Sequence, residues 1–290
     1  MSHDPRVLSR RETLRLLAGG VGGSLLLPHL AHGGVAPSIT GVPRIERIGV
    51  QLYTVRAALA KDLEGTVAAI AKAGITELEF FNMFDKSVAF WTSLMTRHGL
   101  TAPASHEGLP ATDDGWAPIF DRAQGMGHRW IIVPWVGDAY RGSRAAWQRL
   151  AARLNTGAER AKAAGLGFGY HNHDFEFTPV DGTTGYEVLT TETDAALVKL
   201  ELDLYWAVKA GQDPLTILRR WPGRVVSCHV KDAGPAPERE MRDVGQGTID
   251  FRTLLATGKT TGLAHWFIEH DNPTDPIASV TASAAAMRRF

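Results

Sequence analysis

The 290-residue sequence predicts an α/β fold, specifically a (β/α)8 or TIM barrel, and two observations carry this prediction. Short apolar runs alternate with helical patterns from Arg47 onward, and eight such runs match the eight strands of this barrel. The runs are apolar throughout, as expected of parallel strands that are buried on both faces. An open doubly wound sheet is disfavoured, because no Gly-x-Gly-x-x-Gly follows the first run and no Gly-x-x-x-x-Gly-Lys-Ser/Thr occurs.

The elements are predicted from these runs and from the helical periodicity between them. The predicted strands are Ile48–Tyr53, Thr76–Phe81, Ala102–His106, Trp130–Pro134, Gly167–His171, Val198–Asp203, Val225–Val230 and Trp266–His270. The predicted helices are Leu63–Lys72, Val88–Arg97, Trp116–Gln124, Arg144–Ala164, Pro214–Arg220, Phe251–Ala256 and a C-terminal helix from Pro276. Between the fifth and sixth strands the helix signal is weak outside Tyr186–Thr190.

Composition and charge exclude several classes of function. Hydrophobic residues make up 44% and charged residues 21%, which is typical of a globular protein. The 31 basic and 31 acidic side chains balance, so we expect no nucleic-acid partner and no attraction to an anionic membrane. A single cysteine, Cys228, excludes an intramolecular disulfide and a thiolate-rich metal site. Any bound metal would therefore have nitrogen and oxygen ligands.

Residues 1–37 are predicted to be a twin-arginine (Tat) export signal, and residues 38–290 a single barrel domain. Arg10 and Arg11 precede an apolar stretch, Leu16–Leu27, that is interrupted by glycines and is shorter than the roughly 20 residues of a membrane span. Small residues follow over Ala31–Ala36, where a signal peptidase can cleave. We expect a periplasmic or secreted protein without a stable membrane anchor. The alternative is a short N-terminal helix that contains an arginine pair by chance.

Polar residues follow the predicted strands at their carboxyl ends, which meet at one face of a barrel. Asp203, His229 and Glu269 come from three successive strands at similar depth. Strand alternation places Glu201 on the same face as Asp203, either one layer deeper or paired, and Lys231 on the face of His229. One imidazole and several carboxylates suit a divalent cation, such as Mn²⁺, Mg²⁺, Co²⁺ or Zn²⁺. The sequence therefore predicts one divalent metal at the mouth of the barrel.

Five segments together resemble one protein family. They are Ile48–Arg56, Tyr170–Phe177, Leu200–Trp206, His229–Asp232 and Glu269–Pro273. They are similar to the sugar phosphate isomerase/epimerase family with the xylose isomerase-like TIM barrel, in its Tat-exported branch, over about residues 45–290. The resemblance implies a metal-dependent sugar isomerase or epimerase that acts on a small-molecule carbohydrate, with a lyase or a non-catalytic sugar-binding barrel as the alternatives. No single segment specifies the substrate.

The resemblance also implies a ligand set for the metal, drawn from strands five to eight. Three of the four ligands match residues of this chain, namely Asp203, His229 and Glu269. The fourth departs from the family pattern, because a glutamate early in strand five is replaced at about Tyr170. Glu176 is assigned as the fourth ligand, with His171 or His173 as the alternative. This departure also makes an epimerase mechanism with two glutamates doubtful.

The chemistry implied by the family starts with loss of a proton beside a carbonyl. A divalent ion that chelates the carbonyl and a neighbouring hydroxyl stabilises the resulting enediolate. Glu269, His173 or Glu176 is the candidate base, and Lys231 binds an oxyanion or assists a leaving hydroxyl. Reprotonation gives isomerisation or epimerisation, whereas loss of a β-substituent gives a lyase, either a dehydratase or a 3-keto-glycoside eliminase. A non-catalytic sugar-binding barrel is the third possibility.

The substrate is expected to lie over the metal and to contact side chains from several strands. The predicted substrate-binding residues are Glu79, His106, His171 and Trp206, with Trp206 as an apolar wall. Sugar hydroxyls need several hydrogen-bond partners, and the C–H face of a sugar packs against an aromatic ring. Two alternatives are structural: Glu79 pairs with a basic helix residue, and Lys231 pairs with Asp232 or Glu201.

Overall fold

The computed structural model describes residues 45 and 47–290, so the predicted export signal at residues 1–37 lies outside the described residues. Within them, eight parallel strands form a closed barrel in which each strand pairs with its neighbours along the chain and the last pairs with the first. Gly49 on the first strand lies opposite both Glu77 on the second strand and Phe267 on the last. The predicted fold class is confirmed.

The barrel strands, numbered in chain order, all begin and end within two residues of their predicted positions. They are β1 (Gly49–Gln51), β2 (Glu77–Phe80), β3 (Thr101–His106), β4 (Trp130–Val133), β5 (Gly167–His171), β6 (Val198–Asp203), β7 (Val225–Val230) and β8 (His265–Ile268). The first strand is shorter than predicted, because Leu52–Val55 turns into a 3₁₀ helix that Gln51 caps by accepting from Tyr53 N. The eighth strand ends one residue before Glu269, so Glu269 follows the strand instead of lying within it.

Helices surround the barrel, and the predicted ones are all present. They are α1 (Arg56–Lys61), α2 (Leu63–Lys72), α3 (Val88–His98), α4 (Trp116–Met126), α5 (Arg144–Ala163), α6 (Gly185–Glu192), α7 (Leu204–Lys209), α8 (Pro214–Arg220), α9 (Phe251–Thr261) and α10 (Pro276–Met287). The sequence patterns missed α1 and α7, which have six residues each. No helix in the described ranges is long and apolar enough to cross a lipid bilayer.

Two short hairpins lie outside the barrel sheet and were not predicted. One joins Pro179–Val180 to Thr183–Thr184, and the other joins Asp232–Ala233 to Met241–Arg242. The second hairpin starts directly after β7 and Lys231, so it lies at the carboxyl end of the barrel. Its base is anchored by Asp232, whose carboxylate accepts hydrogen bonds of 2.8–3.2 Å from the backbone amides of Ala233, Gly245, Gly247 and Ile249.

Close packing at the seam between β1 and β8 depends on a glycine. A Cβ atom at Gly49 would lie 2.4 Å from the ring of Phe267, which is fully buried. The ring stacks on His265 on one side and meets His229 edge-on at 6.3 Å on the other. Phe267 thus separates the imidazole near the amino end of the barrel from the imidazole near its carboxyl end.

Candidate active site

Three neighbouring strands bring Asp203, His229 and Glu269 together at the carboxyl end of the barrel. Asp203 is the last residue of β6 and lies opposite His229 in the strand register, and Glu269 directly follows β8. One side-chain atom from each residue lies within 4.8 Å of the other two, and all three side chains are buried. The parallel register therefore places three potential metal ligands in one small volume.

His229 occupies the centre of this group, with a carboxylate at each ring nitrogen. Nδ1 lies 2.5 Å from Glu269 Oε2 and 4.0 Å from Asp203 Oδ2, and Nε2 lies 2.6 Å from Glu79 Oε2. Burial opposes the charged imidazolium, but the surrounding carboxylates, Glu201 first among them, raise the pKa of His229 well above its usual value. A carboxylate on the far ring nitrogen is the arrangement that orients metal-binding histidines, and here Glu79 supplies it.

Asp203 divides its two oxygens between helix capping and the site. Oδ1 accepts a 2.8 Å hydrogen bond from Trp206 N at the start of α7, which fixes the carboxylate. Oδ2 is buried and accepts no hydrogen bond, although Lys231 Nζ lies 2.9 Å away. Burial raises the pKa of Asp203 to about 6. This oxygen of Asp203 therefore faces the site, where its neighbouring cation is Lys231.

His171 at the end of β5 faces the same group. Nε2 lies 3.7 Å from Asp203 Oδ2, and Nδ1 lies 3.2 Å from Glu201 Oε1. Burial, assisted by the charge of His229, holds the pKa of His171 well below its usual value, so the ring is neutral. Neutral imidazole is the form that binds metals. The second carboxylate-oriented histidine of the site is thus His171.

The structure does not bring Glu176 to the other predicted ligands. Its two oxygens accept hydrogen bonds from Tyr170 Oη at 2.8 Å and from His173 N at 2.7 Å. The cause is a 3₁₀ turn over Phe175–Phe177, which reverses the chain after β5 and directs this carboxylate back toward Tyr170. Burial raises the pKa of Glu176 to about 7.

His173 lies in the wall of the site and has an unused ring atom. Nδ1 is buried and has no hydrogen-bond partner. Burial and the nearby positive charge of Lys231 lower the pKa of His173 to about 3, so its ring is neutral near pH 7. The ring packs 5.0 Å from His171 and 5.6 Å from Trp206.

One layer deeper in the barrel than Asp203, Glu201 is the centre of a buried hydrogen-bond network. Its Oε1 lies 2.6 Å from His106 Nε2, 3.2 Å from His171 Nδ1 and 3.1 Å from His229 Nε2, and its Oε2 accepts from Ser227 Oγ at 2.7 Å. Burial alone would raise the pKa of Glu201, but His229 and His106 hold it well below the usual value. The sequence predicted that Glu201 lies either one layer deeper than Asp203 or in a pair. The structure shows both, because Glu201 lies deeper and pairs with His106 and His171.

Glu79 and His106 belong to the same network and have no contact with a basic helix residue. Glu79 Oε2 accepts from Gln51 Nε2 at 2.9 Å and lies 3.4 Å from His106 Nε2. Burial, reinforced by Glu201, raises the pKa of Glu79 to about 7. Burial opposes protonation of His106, but Glu79 and Glu201 outweigh it and raise its pKa. Sequence patterns gave no signal for Gln51 or Ser227, because amides and hydroxyls are common in strands.

Lys231 pairs with three carboxylates at the mouth, and neither of the partners considered from sequence is among them. Nζ lies 2.9 Å from Asp203 Oδ2, 2.8 Å from Glu269 Oε2 and 2.8 Å from Asp271 Oδ1. Burial opposes its charge, but these carboxylates raise the pKa of Lys231 well above its usual value. The ammonium group is therefore a fixed positive charge beside the potential ligands.

The donor set fits a divalent cation. Four buried carboxylates, those of Glu79, Glu201, Asp203 and Glu269, lie at this end of the barrel, and the ammonium group of Lys231 contacts two of them, Asp203 and Glu269. Isolated buried carboxylates are costly, so this excess calls for a further positive charge. In the protein alone a proton on His229 supplies it, and a divalent ion supplies it equally well. Two imidazoles and two carboxylates match the preferences of Zn²⁺, Mn²⁺ and Co²⁺.

A cavity of about 440 Å³ opens above these residues. Its walls include His106, His171, His173, Lys231 and Glu269, together with Asp271 and the rim residues Tyr53 and Trp135. Trp206 does not line it directly; its ring lies behind Lys231, 5.7 Å from Nζ. Glu79 is likewise covered, beneath His229. The predicted substrate-binding residues thus fall into two groups, with His106 and His171 at the cavity surface.

Fold and site define a (β/α)8 barrel with a buried group of histidines and carboxylates at its carboxyl end that could hold a metal ion. Residues 49–290 match the family model described as Xylose isomerase-like TIM barrel. The chain belongs to this family.

The relatives found by sequence include inosose dehydratases. The enzyme of Lacticaseibacillus casei is 31% identical over 138 residues, which cover 42% of this chain and 46% of the relative. The enzyme of Bacillus anthracis (strain CDC 684 / NRRL 3495) is 27% identical over 199 residues, which cover 59% and 66%. The chain therefore spans about half the length of the first relative and just under two thirds of the second.

Solved structures support the same fold. A sugar phosphate isomerase/epimerase from Parabacteroides distasonis ATCC 8503 has a TM-score of 0.73 at 23% identity, covering 86% of this chain and 95% of that one. The IOLI protein, solved with a bound zinc atom, has a TM-score of 0.64 at 14% identity, covering 83% and 96%. At these identities the likeness concerns the fold.

Proposed function

We propose that this protein is a divalent-metal-dependent lyase, which removes the proton beside a carbonyl group of a sugar or cyclitol and then eliminates the neighbouring hydroxyl as water. The observation that carries the proposal is the group formed by Asp203, His229, Glu269 and His171, with its buried excess of carboxylate. The inosose dehydratases among its relatives support the reaction class, and the zinc-bound fold neighbour supports a metal.

Asp203, His229 and Glu269 would hold the cation, with His171 in place of Glu176 as the fourth ligand. His171 Nε2 lies 3.7 Å from Asp203 Oδ2, whereas both oxygens of Glu176 already accept hydrogen bonds. A bound divalent ion would polarise the substrate carbonyl and stabilise negative charge on its oxygen.

His173 and Lys231 would carry out the remaining chemistry. Neutral His173, whose ring lines the cavity, takes the proton from carbon. It returns that proton to the departing hydroxyl oxygen, so that water leaves and no other proton donor is required. Lys231 stays protonated and offers N–H donors to an oxygen that gains negative charge.

Isomerisation or epimerisation, the reaction that the sequence analysis favoured, is the second candidate. It shares the proton-removal step, and the sugar phosphate isomerase/epimerase among the fold neighbours agrees with it. Epimerisation with two glutamates needs a carboxylate on each face of the substrate. Glu176 was the candidate for the second one, and its hydrogen bonds with Tyr170 and His173 favour elimination instead.

The test is incubation of the metal-loaded protein with an inosose and a panel of keto and aldose sugars in D₂O. Elimination, detected as water loss by mass spectrometry, supports the lyase. Deuterium incorporation without water loss identifies the isomerase. If a sugar binds but no sugar in the panel loses water or incorporates deuterium, the protein is a non-catalytic sugar-binding barrel.

We also propose that the protein is exported in folded form by the twin-arginine pathway. The support is the Arg10–Arg11 pair ahead of a weakly apolar stretch. Replacement of both arginines by lysine should retain the protein in the cytoplasm, as measured by cell fractionation. An unchanged periplasmic fraction would contradict this proposal.

A further inference from the structure

Two large apolar side chains in the described part of the chain are exposed, and both lie on the rim of the active-site cavity. Trp135 is 54% exposed and Tyr53 is 39% exposed. They follow β4 and β1, which are three strands apart around the barrel, whereas the metal-binding group comes from β5 to β8. Exposed apolar surface beside a concave polar site marks a ligand contact.

Trp135 is held in place by a stacked arginine. The guanidinium carbon of Arg141 lies 4.7 Å from the centre of the Trp135 ring and 3.5 Å from the centre of the Phe175 ring. Arg141 Nε donates to Val136 O at 2.9 Å, which ties the guanidinium to the backbone beside Trp135. Such cation–π stacking favours one orientation of the indole ring.

Tyr53 is held in the same manner on the other side of the mouth. The guanidinium carbon of Arg56 lies 3.8 Å from the ring centre, and Arg56 Nη1 donates to Tyr53 O at 2.7 Å and to Asp271 O at 2.8 Å. The ring of Phe81 meets Tyr53 edge-on at 5.2 Å. Both exposed rings are thus preorganised, which lowers the entropic cost of using them to bind a ligand.

The wall between the two aromatic residues is open. Gly108 follows β3, lines the cavity and is exposed. A Cβ atom built on Gly108 would meet no atom within 4 Å, and its backbone φ is not positive, so a side chain here has both room and an allowed conformation. The absence of a side chain keeps space free between Tyr53 and Trp135.

We propose that Tyr53, Gly108 and Trp135 form a rim subsite for a second ring, attached to the sugar or cyclitol that reacts. The substrate would then be a glycoside, with a second pyranose or an aryl group at the rim. This inference rests on the proposed function, because the reacting ring must lie at His171, Lys231 and Glu269. The cavity runs from these residues to Trp135, and both kinds of ring have apolar faces that pack on aromatic side chains.

Binding can test the rim subsite without any turnover. Full-length protein with Mn²⁺ is titrated calorimetrically with 4-nitrophenyl glycosides, with the corresponding disaccharides, and with methyl glycosides of glucose, galactose and xylose. We expect two-ring probes to bind at least about tenfold more tightly than their methyl glycosides, which is about 1.4 kcal/mol. The aryl and disaccharide arms distinguish the two kinds of second ring.

Variants assign this advantage to particular side chains. Trp135→Ala and Tyr53→Ala should each remove most of the tenfold preference without changing methyl-glycoside affinity, and Gly108→Leu should block the second ring. Trp135→Phe should retain most of it. Trp221→Ala is the matched control. The guanidinium carbon of Arg220 lies 5.0 Å from the centre of the Trp221 ring, and Trp221 does not line the cavity.

Equal affinity for one-ring and two-ring probes in the unaltered protein would overturn the rim subsite, and so would failure of every two-ring probe to bind. A preference that persists in Trp135→Ala, Tyr53→Ala and Gly108→Leu would do the same. The proposed reaction can be refuted independently of the rim subsite. This is the outcome if two-ring probes bind more tightly and the variants remove that preference, but no sugar loses water or exchanges a proton in D₂O.

Discussion

Two glutamates on one strand show how the two ends of this barrel differ. Glu77 and Glu79 are two residues apart on β2, and both are buried. Toward the amino end, Glu77 lies 2.8 Å from His265 Nδ1 and 3.5 Å from Arg47 Nε. Toward the carboxyl end, Glu79 lies 2.6 Å from His229 Nε2 and 3.4 Å from His106 Nε2.

The difference between the ends lies in the balance of charge. At the amino end one carboxylate faces one imidazole and one guanidinium, so its local charge is compensated without a ligand. At the carboxyl end Glu201, Asp203 and Glu269 add to Glu79, and Lys231 is the one cation that does not depend on a proton near neutral pH. Buried charge by itself therefore does not identify a functional site; uncompensated buried charge does.

The largest effect is expected when the same change is made at each end. His229→Gln should lose nearly all bound metal and lower kcat/KM by more than about 10³-fold, since a metal supplies several kcal/mol of charge stabilisation. His265→Gln, at the amino end, should keep the metal. Elemental analysis and turnover measure both variants. Full metal retention in His229→Gln would refute the ligand set.

A change at Lys231 should separate chemistry from metal binding. Lys231→Met should lower kcat by about 10²–10⁴-fold while metal content is retained, since removal of a cation beside Asp203 and Glu269 does not weaken their attraction for a metal. Lys209→Met is the control, because Lys209 bonds only to a backbone carbonyl outside the site. Normal turnover in Lys231→Met would place the chemistry elsewhere.

The two glutamates of β2 provide the sharpest comparison. Glu79→Gln should weaken metal affinity by about 10–100-fold, because His229 loses the carboxylate that orients its ring. Glu77→Gln should leave metal affinity unchanged. Competition with a fluorescent chelator gives both values. Equal affinities in the two variants would mean that Glu79 does not act through His229.

The smallest effect on metal binding is expected at Glu176. Glu176→Gln should keep full metal content, because its oxygens bond to Tyr170 and His173 N rather than to the ligand group. Activity should fall only several-fold, through altered placement of His173. Loss of metal in Glu176→Gln, with retention in His171→Gln, would restore the ligand assignment made from sequence.

The barrel itself was predictable, because eight buried strands separated by helices leave few alternatives. The errors are local. The six-residue helix α1 starts directly after the 3₁₀ turn that ends β1, and its pattern is too short to show a periodicity. The helix α7 follows Asp203 without a loop and has only six residues, so it too is short for a helical periodicity to show.

The site was predictable where strand register determines it. Asp203 and His229 are register partners on neighbouring strands, and parallel strands place such residues side by side. Glu176 lies beyond the end of β5, where a turn sets the direction of the side chain and the sequence carries no register. Gln51 and Ser227 are likewise register partners of Glu79 and Glu201 on neighbouring strands, but they gave no signal in the sequence because amides and hydroxyls are common in strands.

The carboxylate of Asp232 gives this protein an engineering opportunity. Asp232 accepts hydrogen bonds at the base of the hairpin, whereas the exposed segment at residues 235–238 is held by two bonds to its backbone carbonyls, from Arg239 N to Pro235 O and from Lys209 Nζ to Glu238 O. A library that randomises the side chains of this segment, with Asp232 left intact, should leave both the hairpin and Lys231 in position. The tip of the hairpin can thus accept sequence changes without disturbing the strand that carries His229.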